Sequence, residues 1–261
     1  MKNPIRFSPS LALMIASLGA SLSAQDVLLN FGGNYAGTNA PGHDAGLLTG
    51  TNWNSVSVDT ASGIVDQVGA ATSVSLDFGL ATAEGGTTVN YALSTKSAPY
   101  AMNAGVDADL QTLFNTSLGL NNVVRDGSGN LGVAVSLSGL AAGEYRYFLT
   151  AFRGDAVATS TRDFDIYAGV SADAITDFSS YSAGSITNSA GVSGWTAGDN
   201  YLSGTFTIDG INDTFSLLSN STNFIGVFTS LEIAVIPESS AFALLGGLFV
   251  LGLAAVRRRC N

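Results

Sequence analysis

Glu144-Tyr145-Arg146-Tyr147-Phe148-Leu149-Thr150-Ala151-Phe152 is the most strand-like stretch of the chain, dense in aromatic and other β-favouring residues. The tight connection Gly139-Leu140-Ala141-Ala142-Gly143 leads into it from a second strand, Val133-Ala134-Val135-Ser136-Leu137. The same texture extends in both directions. Val27-Leu28-Leu29-Asn30-Phe31 reads as a first strand ending at Gly32-Gly33, and Trp53 to Val58 is extended. Val74-Ser75-Leu76-Asp77-Phe78 alternates, with Val, Leu and Phe on one face, and Thr87 to Leu93 alternates again. Downstream, Asp163 to Ala168 is a further strand, and Phe224 to Val235 predicts a long final one. Thr205 to Ile208 and Thr214 to Leu218 flank Asp209-Gly210-Ile211-Asn212-Asp213, which predicts a hairpin. Ser179 to Asn200 has no periodicity and predicts long loops with one or two weak strands. Val106, Leu110, Leu113 and Phe114 fall at helical spacing, so one short helix is expected there. Short strands separated by Gly, Asn and Asp clusters predict an all-β sandwich or barrel.

Charge is distributed unevenly. All 20 acidic residues lie between Asp26 and Glu238, against five basic ones in the same span (Lys96, Arg125, Arg146, Arg153 and Arg162). That balance argues against nucleic acid as a partner, because binding phosphates needs a cationic face. Acidity first serves solubility, with divalent-cation binding as the sharper alternative. The single cysteine, Cys260, follows the C-terminal arginines, so the body contains no disulfide, cysteine-based zinc site or cysteine nucleophile. About 210 residues between the terminal segments suffice to bury a core without disulfides.

Both ends carry targeting patterns. Lys2 and Arg6 precede the apolar run Leu11 to Ala16, and Ser21-Leu22-Ser23-Ala24 offers small residues before Gln25. This is the layout of a secretory signal peptide, residues 1–24, with a cut after Ala24 or after Ser23. Residues 25–235 form the β-sandwich body. Residues 236–261 form the tail, in which Ile236-Pro237-Glu238-Ser239 leads into the apolar run Ala241 to Val256 and the stop Arg257-Arg258-Arg259. That run is about 24 Å long as a helix, close to a ~30 Å hydrocarbon core once Ser239 and Ser240 are added. A single transmembrane helix is therefore expected at about 240–256, with the arginines cytoplasmic and the body outside.

Chemistry-bearing residues are sparse. His43 is the only histidine, and the body lacks a G-x-S-x-G elbow, so no nucleophilic triad is legible. Asp163 with Asp165, and Asp107 with Asp109, are acidic pairs of the kind chance supplies among 20 carboxylates. Asp126-Gly127-Ser128-Gly129-Asn130 offers oxygen atoms at alternate positions. However, Leu137 stands where a calcium loop needs its bidentate acid, so Ca2+ is an open alternative and no metal ligands are assigned. No catalytic residue is assigned. Trp53, Trp195 and Tyr201, with Tyr35 and Tyr100, are the aromatic candidates for stacking on sugar rings. Asn52 and Asn54 flank Trp53, and Asp199 and Asn200 follow Trp195 as hydroxyl-binding neighbours. Arg146, Arg153 and Arg162 lie on or beside adjacent predicted strands, where pairing with carboxylates is expected.

Two resemblances follow from these residues. The order Val27 to Gly32, Gly50-Thr51-Asn52-Trp53-Asn54, Ser138 to Tyr145, Phe164-Asp165-Ile166-Tyr167 and Leu231-Glu232-Ile233 resembles the galactose-binding-like jelly-roll domains of exported bacterial proteins. It implies a jelly-roll-type β-sandwich with its first and last strands adjacent, placing Asp26 and Val235 on one side. The tail resembles the PEP-CTERM sorting signal of exosortase-processed bacterial proteins. Pro237 and Glu238 match the motif, Arg257, Arg258 and Arg259 match its stop, and Ser239 stands where the motif has a second proline. It implies insertion in the inner membrane, processing near Pro237-Glu238 by an exosortase-type enzyme, and delivery to the cell envelope or an exopolysaccharide matrix. The combined expectation is an exported, non-enzymatic surface or matrix protein that binds carbohydrate. Alternatives are a glycan-active hydrolase or lyase using acidic residues, and a purely structural adhesion or matrix protein.

Overall fold

A computed structural model describes residues 25–31, 47–48, 52–56, 60–79, 81–82, 88–89, 124–125, 132–151, 162–188, 195–221 and 226–237. The strands, in chain order, are β1 (Val27–Phe31), β2 (Trp53–Val56), β3 (Thr60–Ala61), β4 (Ser75–Gly79), β5 (Ala81–Thr82), β6 (Thr88–Val89), β7 (Val124–Arg125) and β8 (Gly132–Ser138). They continue as β9 (Gly143–Thr150), β10 (Arg162–Ser171), β11 (Ser182–Asn188), β12 (Tyr201–Ile208), β13 (Thr214–Asn220), β14 (Val227–Phe228) and β15 (Ser230–Val235). The described residues are all-β and contain no helix.

Two sheets make the sandwich. One has the order β12-β9-β15-β1-β2, antiparallel except for the parallel pair β1–β2, and the other is antiparallel with the order β11-β10-β13-β8-β4-β3. From β8 onward the chain passes repeatedly between them: β8 to β9, β9 to β10, β11 to β12, β12 to β13, and β13 to β15.

Strand alternation explains the core. Val27, Leu29 and Phe31 of β1, Tyr145, Tyr147 and Leu149 of β9, and Leu231 and Ile233 of β15 project inward from the five-stranded sheet. They meet Leu76 and Phe78 of β4, Val133, Val135 and Leu137 of β8, Phe164 and Ile166 of β10, and Phe215 and Leu217 of β13. Aromatic rings bridge the layers: Phe206 stacks on Phe215 at 3.9 Å between centroids, and Phe31 meets Phe78 edge-on at 5.9 Å. The predicted Val74, Leu76 and Phe78 face is buried as expected.

The connection from β8 to β9 turns on two residues. Gly139 has φ +82°, and a Cβ there would lie 2.1 Å from the carbonyl oxygen of Ser73, so only glycine fits. The hydroxyl of Tyr145 donates to the carbonyl of Ala141 at 2.8 Å and ties the new strand to its own approach. The outer face of the six-stranded sheet has its own cover. Ile175, Phe178 and Tyr181 pack on Ala134, Tyr167 and Leu218.

Three sequence expectations change. β12 and β13 are not a hairpin, because they belong to opposite sheets. Phe206 and Ile208 face inward from one side and Phe215 and Leu217 from the other, so the turn at Asp209 must cross the sandwich. Asp209 shapes that turn by accepting from the N–H groups of Ile211 and Asn212 at 2.8 and 2.6 Å. The predicted final strand divides at Thr229 into β14, which pairs with β7, and β15, which pairs with β1 and β9. Arg146 and Arg162 are not on adjacent strands, since β9 and β10 also lie in different sheets. Asp26 and Val235 do lie together: β1 pairs antiparallel with β15, and the Val235 N–H donates to Asp26 Oδ1 at 2.9 Å. The expected helix at 106–118 and the targeting segments 1–24 and 238–261 lie outside the described residues.

Candidate ligand-binding face

Residues that alternate with the core positions of the five-stranded sheet form its outer face. The strand register sets them in rows. One row runs Tyr201, Thr150, Ser230, Asn30, Ser55, and the next runs Ser203, Phe148, Glu232, Leu28, Trp53. All three sequence-predicted stacking residues therefore belong to this face or its margin. Tyr201 lies at the β12 margin and Trp53 at the β2 margin. Trp195, just before β12, packs edge-on against Phe148 at 5.8 Å and against Tyr201 at 6.1 Å. Tyr201 stacks on Phe148 at 4.4 Å and 22°. Trp195 and Tyr201 are half-buried, with ring surface left to solvent, over a Phe148 that is fully buried.

A short turn holds this group. Asn200 Oδ1 accepts from the Thr196 N–H at 3.0 Å, and the N–H groups of Asp199 and Asn200 both donate to the Thr196 carbonyl. The Thr187 N–H donates to Gly198 O at 2.8 Å, tying the turn to β11. Asn200 thus shapes the backbone under Trp195 instead of facing a ligand.

Trp53 is not brought to that group. By strand spacing of about 4.8 Å it lies roughly 14 Å from Phe148, and the ground between is covered. Leu28, Asn30 and Glu232 are each 0% exposed. The N–H groups of Leu47 and Leu48 converge on Glu232 Oε2 at 2.7 and 3.1 Å, so a carboxylate sits under a loop with two amides. Ser230 donates to Thr150 at 2.9 Å in the neighbouring row. Asn54 is structural: its amide donates to Leu28 O and Val65 O while its oxygen accepts from Val65 N. Asn52 donates to Gln67 O.

Sequence reading missed Asn30 and Glu232. Among the described residues neither side-chain polar atom of Asn30 has a hydrogen-bond partner, although Asn30 is wholly buried, and the indole N–H of Trp53 is likewise enclosed without an acceptor. The available signal was a polar residue inside an apolar strand, as in Leu29-Asn30-Phe31 and Leu231-Glu232-Ile233.

Other sequence candidates fall elsewhere. Asp163 and Asp165 share the outer face of β10, on the six-stranded sheet, not the face that carries Phe148 and Tyr201. Pro237 is exposed directly after β15, where the Ile236 N–H donates to Glu144 O at 2.8 Å. Tyr35, His43, Tyr100, Asp107, Asp109, the loop 126–130, Glu238 and Arg257 to Arg259 lie outside the described residues. Among the described residues no group of three or more His, Cys, Asp or Glu side chains converges, and no helix is long and apolar enough to cross a membrane. The shifted carboxylates are turn residues. Backbone and side-chain hydrogen bonds from Ser179 lower Asp177, and those from Asn212, then Ile211, lower Asp209.

No protein-family model matches this chain, and no curated protein matches it.

Proposed function

We propose that this is an exported cell-surface or exopolysaccharide-matrix protein whose jelly-roll-type sandwich binds carbohydrate at the β12 margin of the five-stranded sheet. The observation that carries the binding part is the pair Trp195 and Tyr201, seated on buried Phe148 and left half-open. Such rings offer flat apolar surface to the C–H face of a sugar, and a fixed ring loses little freedom on binding. The repeated passage between sheets from β8 to β15 supports the jelly-roll assignment. On this reading the domain binds without catalysis, and no metal is needed.

Export rests on the two terminal patterns. Residues 1–24 act as a signal peptide, and the tail acts as a PEP-CTERM-type sorting signal through Pro237, Glu238 and Arg257 to Arg259. The tail would hold the chain in the inner membrane until an exosortase-type enzyme cuts it. Intact-mass measurement of the protein from its native cell surface locates both cuts, and a mass equal to the full 261 residues would overturn the export reading.

Binding is tested by screening the full chain on an array of bacterial and plant polysaccharides. Signal on at least one neutral polysaccharide is expected, reduced roughly tenfold or more in Trp195→Ala and Tyr201→Ala, as for central aromatic anchors. Flat signal throughout, or unchanged binding in both variants, sinks it.

A further inference from the structure

The two sheets part along the edge where β12 of one faces β11 and β10 of the other, leaving a cleft of about 440 Å3. Its apolar wall includes Val170, Phe206 and Phe215, and Ser182, Ser203 and Thr205 border it. Among the described residues no charged side chain lines it. Tyr147 reaches it from β9 beneath Gly204. A Cβ on Gly204 would sit 2.7 Å from the Tyr147 hydroxyl, so glycine at this position makes room for the phenol. Tyr147 is only 5% exposed and lines the cleft, and its hydroxyl has no hydrogen-bond partner among the described residues. Burial raises its pKa, so it stays a neutral phenol and a donor.

A cleft of this size falls within the range of small-ligand sites, which run from about 300 to 1,000 Å3. Its chemistry selects a neutral ligand with an apolar side and hydroxyls. Tyr201 faces out and Gly204 faces in, roughly 10 Å apart along β12, and β12 is the edge strand of its sheet, so a glycan chain reaches from the aromatic pair to the cleft by turning round that edge.

We infer that this cleft takes a single neutral pyranose, the end unit of a glycan chain lying on Trp195 and Tyr201, with Tyr147 donating to one of its hydroxyls. This rests on the carbohydrate-binding reading and adds to it a chain-end subsite.

The experiment titrates the full chain with glucose, galactose, mannose and N-acetylglucosamine, following tyrosine ring resonances by NMR. Saturable shifts with at least one sugar are expected. Its affinity should fall roughly three- to tenfold in Tyr147→Phe, the scale of one hydrogen bond. Tyr147→Phe removes only an oxygen that has no partner among the described residues, so an unchanged melting temperature is expected to accompany the loss. No response to any of the four sugars, or equal affinity in Tyr147→Phe, overturns the inference. Polysaccharide binding that survives such a result leaves the aromatic face standing; loss of both removes the carbohydrate reading itself.

Discussion

Tyr145 and Tyr147 are neighbours on the inward face of β9 with different duties. Tyr145 has a partner, the Ala141 carbonyl, while Tyr147 opens on the edge cleft. Removing the first hydroxyl in Tyr145→Phe should cost about 0.5–1.5 kcal/mol, read from the urea midpoint at unchanged slope. Both phenols have pKa values raised above the ordinary 10.0, by burial in each case and by the nearby Asp26 charge as a second cause for Tyr145. The folded state therefore keeps these protons where the unfolded chain loses them. Stability should be whole below about pH 10 and fall as pH rises through that window. Tyrosinate absorbance during alkaline titration should show at least these two tyrosines ionising late, and both should titrate normally after unfolding. From sequence, these two residues read only as strand aromatics. Inward and outward positions follow from alternation, but a hydroxyl's partner depends on which connection lies across from it.

At the scale of elements, the chain's punctuation was easier to read than its pairing. β1, β4, β8 and β9 fall where the sequence predicts strands, because β-favouring composition and, at β4, period-two alternation are local properties. Pairing is not local. Thr205 to Ile208 and Thr214 to Leu218 have the spacing of a hairpin, yet Phe206 and Phe215 stack across the sandwich, and that contact outweighs proximity in sequence. The candidate face divided in the same way. Trp195 and Tyr201 were legible as aromatic residues among polar ones. Asn30 and Glu232 were not, because nothing local says that their side of the sheet is covered. Gly139 tests the crossover that the fold depends on. With φ +82° and a carbonyl 2.1 Å from any added Cβ, Gly139→Ala should lose about 3 kcal/mol or more, measured by chemical denaturation. Free tolerance of alanine there would mean that the β8–β9 connection is built differently.

Over the whole molecule, the first and last strands of the sandwich close on each other through Asp26. Its Oδ1 accepts from Val235, its Oδ2 accepts from the Gln67 amide at 2.7 Å, and its carbonyl accepts from the Gln67 N–H. Bonds to a carboxylate are stronger than neutral ones, so Asp26→Ala should cost about 1.5–3 kcal/mol, with the loss seen in the thermal midpoint. Asp26→Asn should recover part of it, since one amide oxygen can still accept.

β15 is an interior strand, hydrogen-bonded to β9 on one side and β1 on the other. A pull entering at Val235 and resisted by the rest of the domain acts along β15 and must slide it past both neighbours, so many backbone bonds share the load at once. A pull that separates Asp26 from Val235 instead opens β1 from β15 one bond at a time, starting at the Asp26 clasp. The same fold is thus a firm anchor in one loading direction and a zipper in the other. Single-molecule stretching through the two pairs of attachment points should give a clearly higher rupture force in the first.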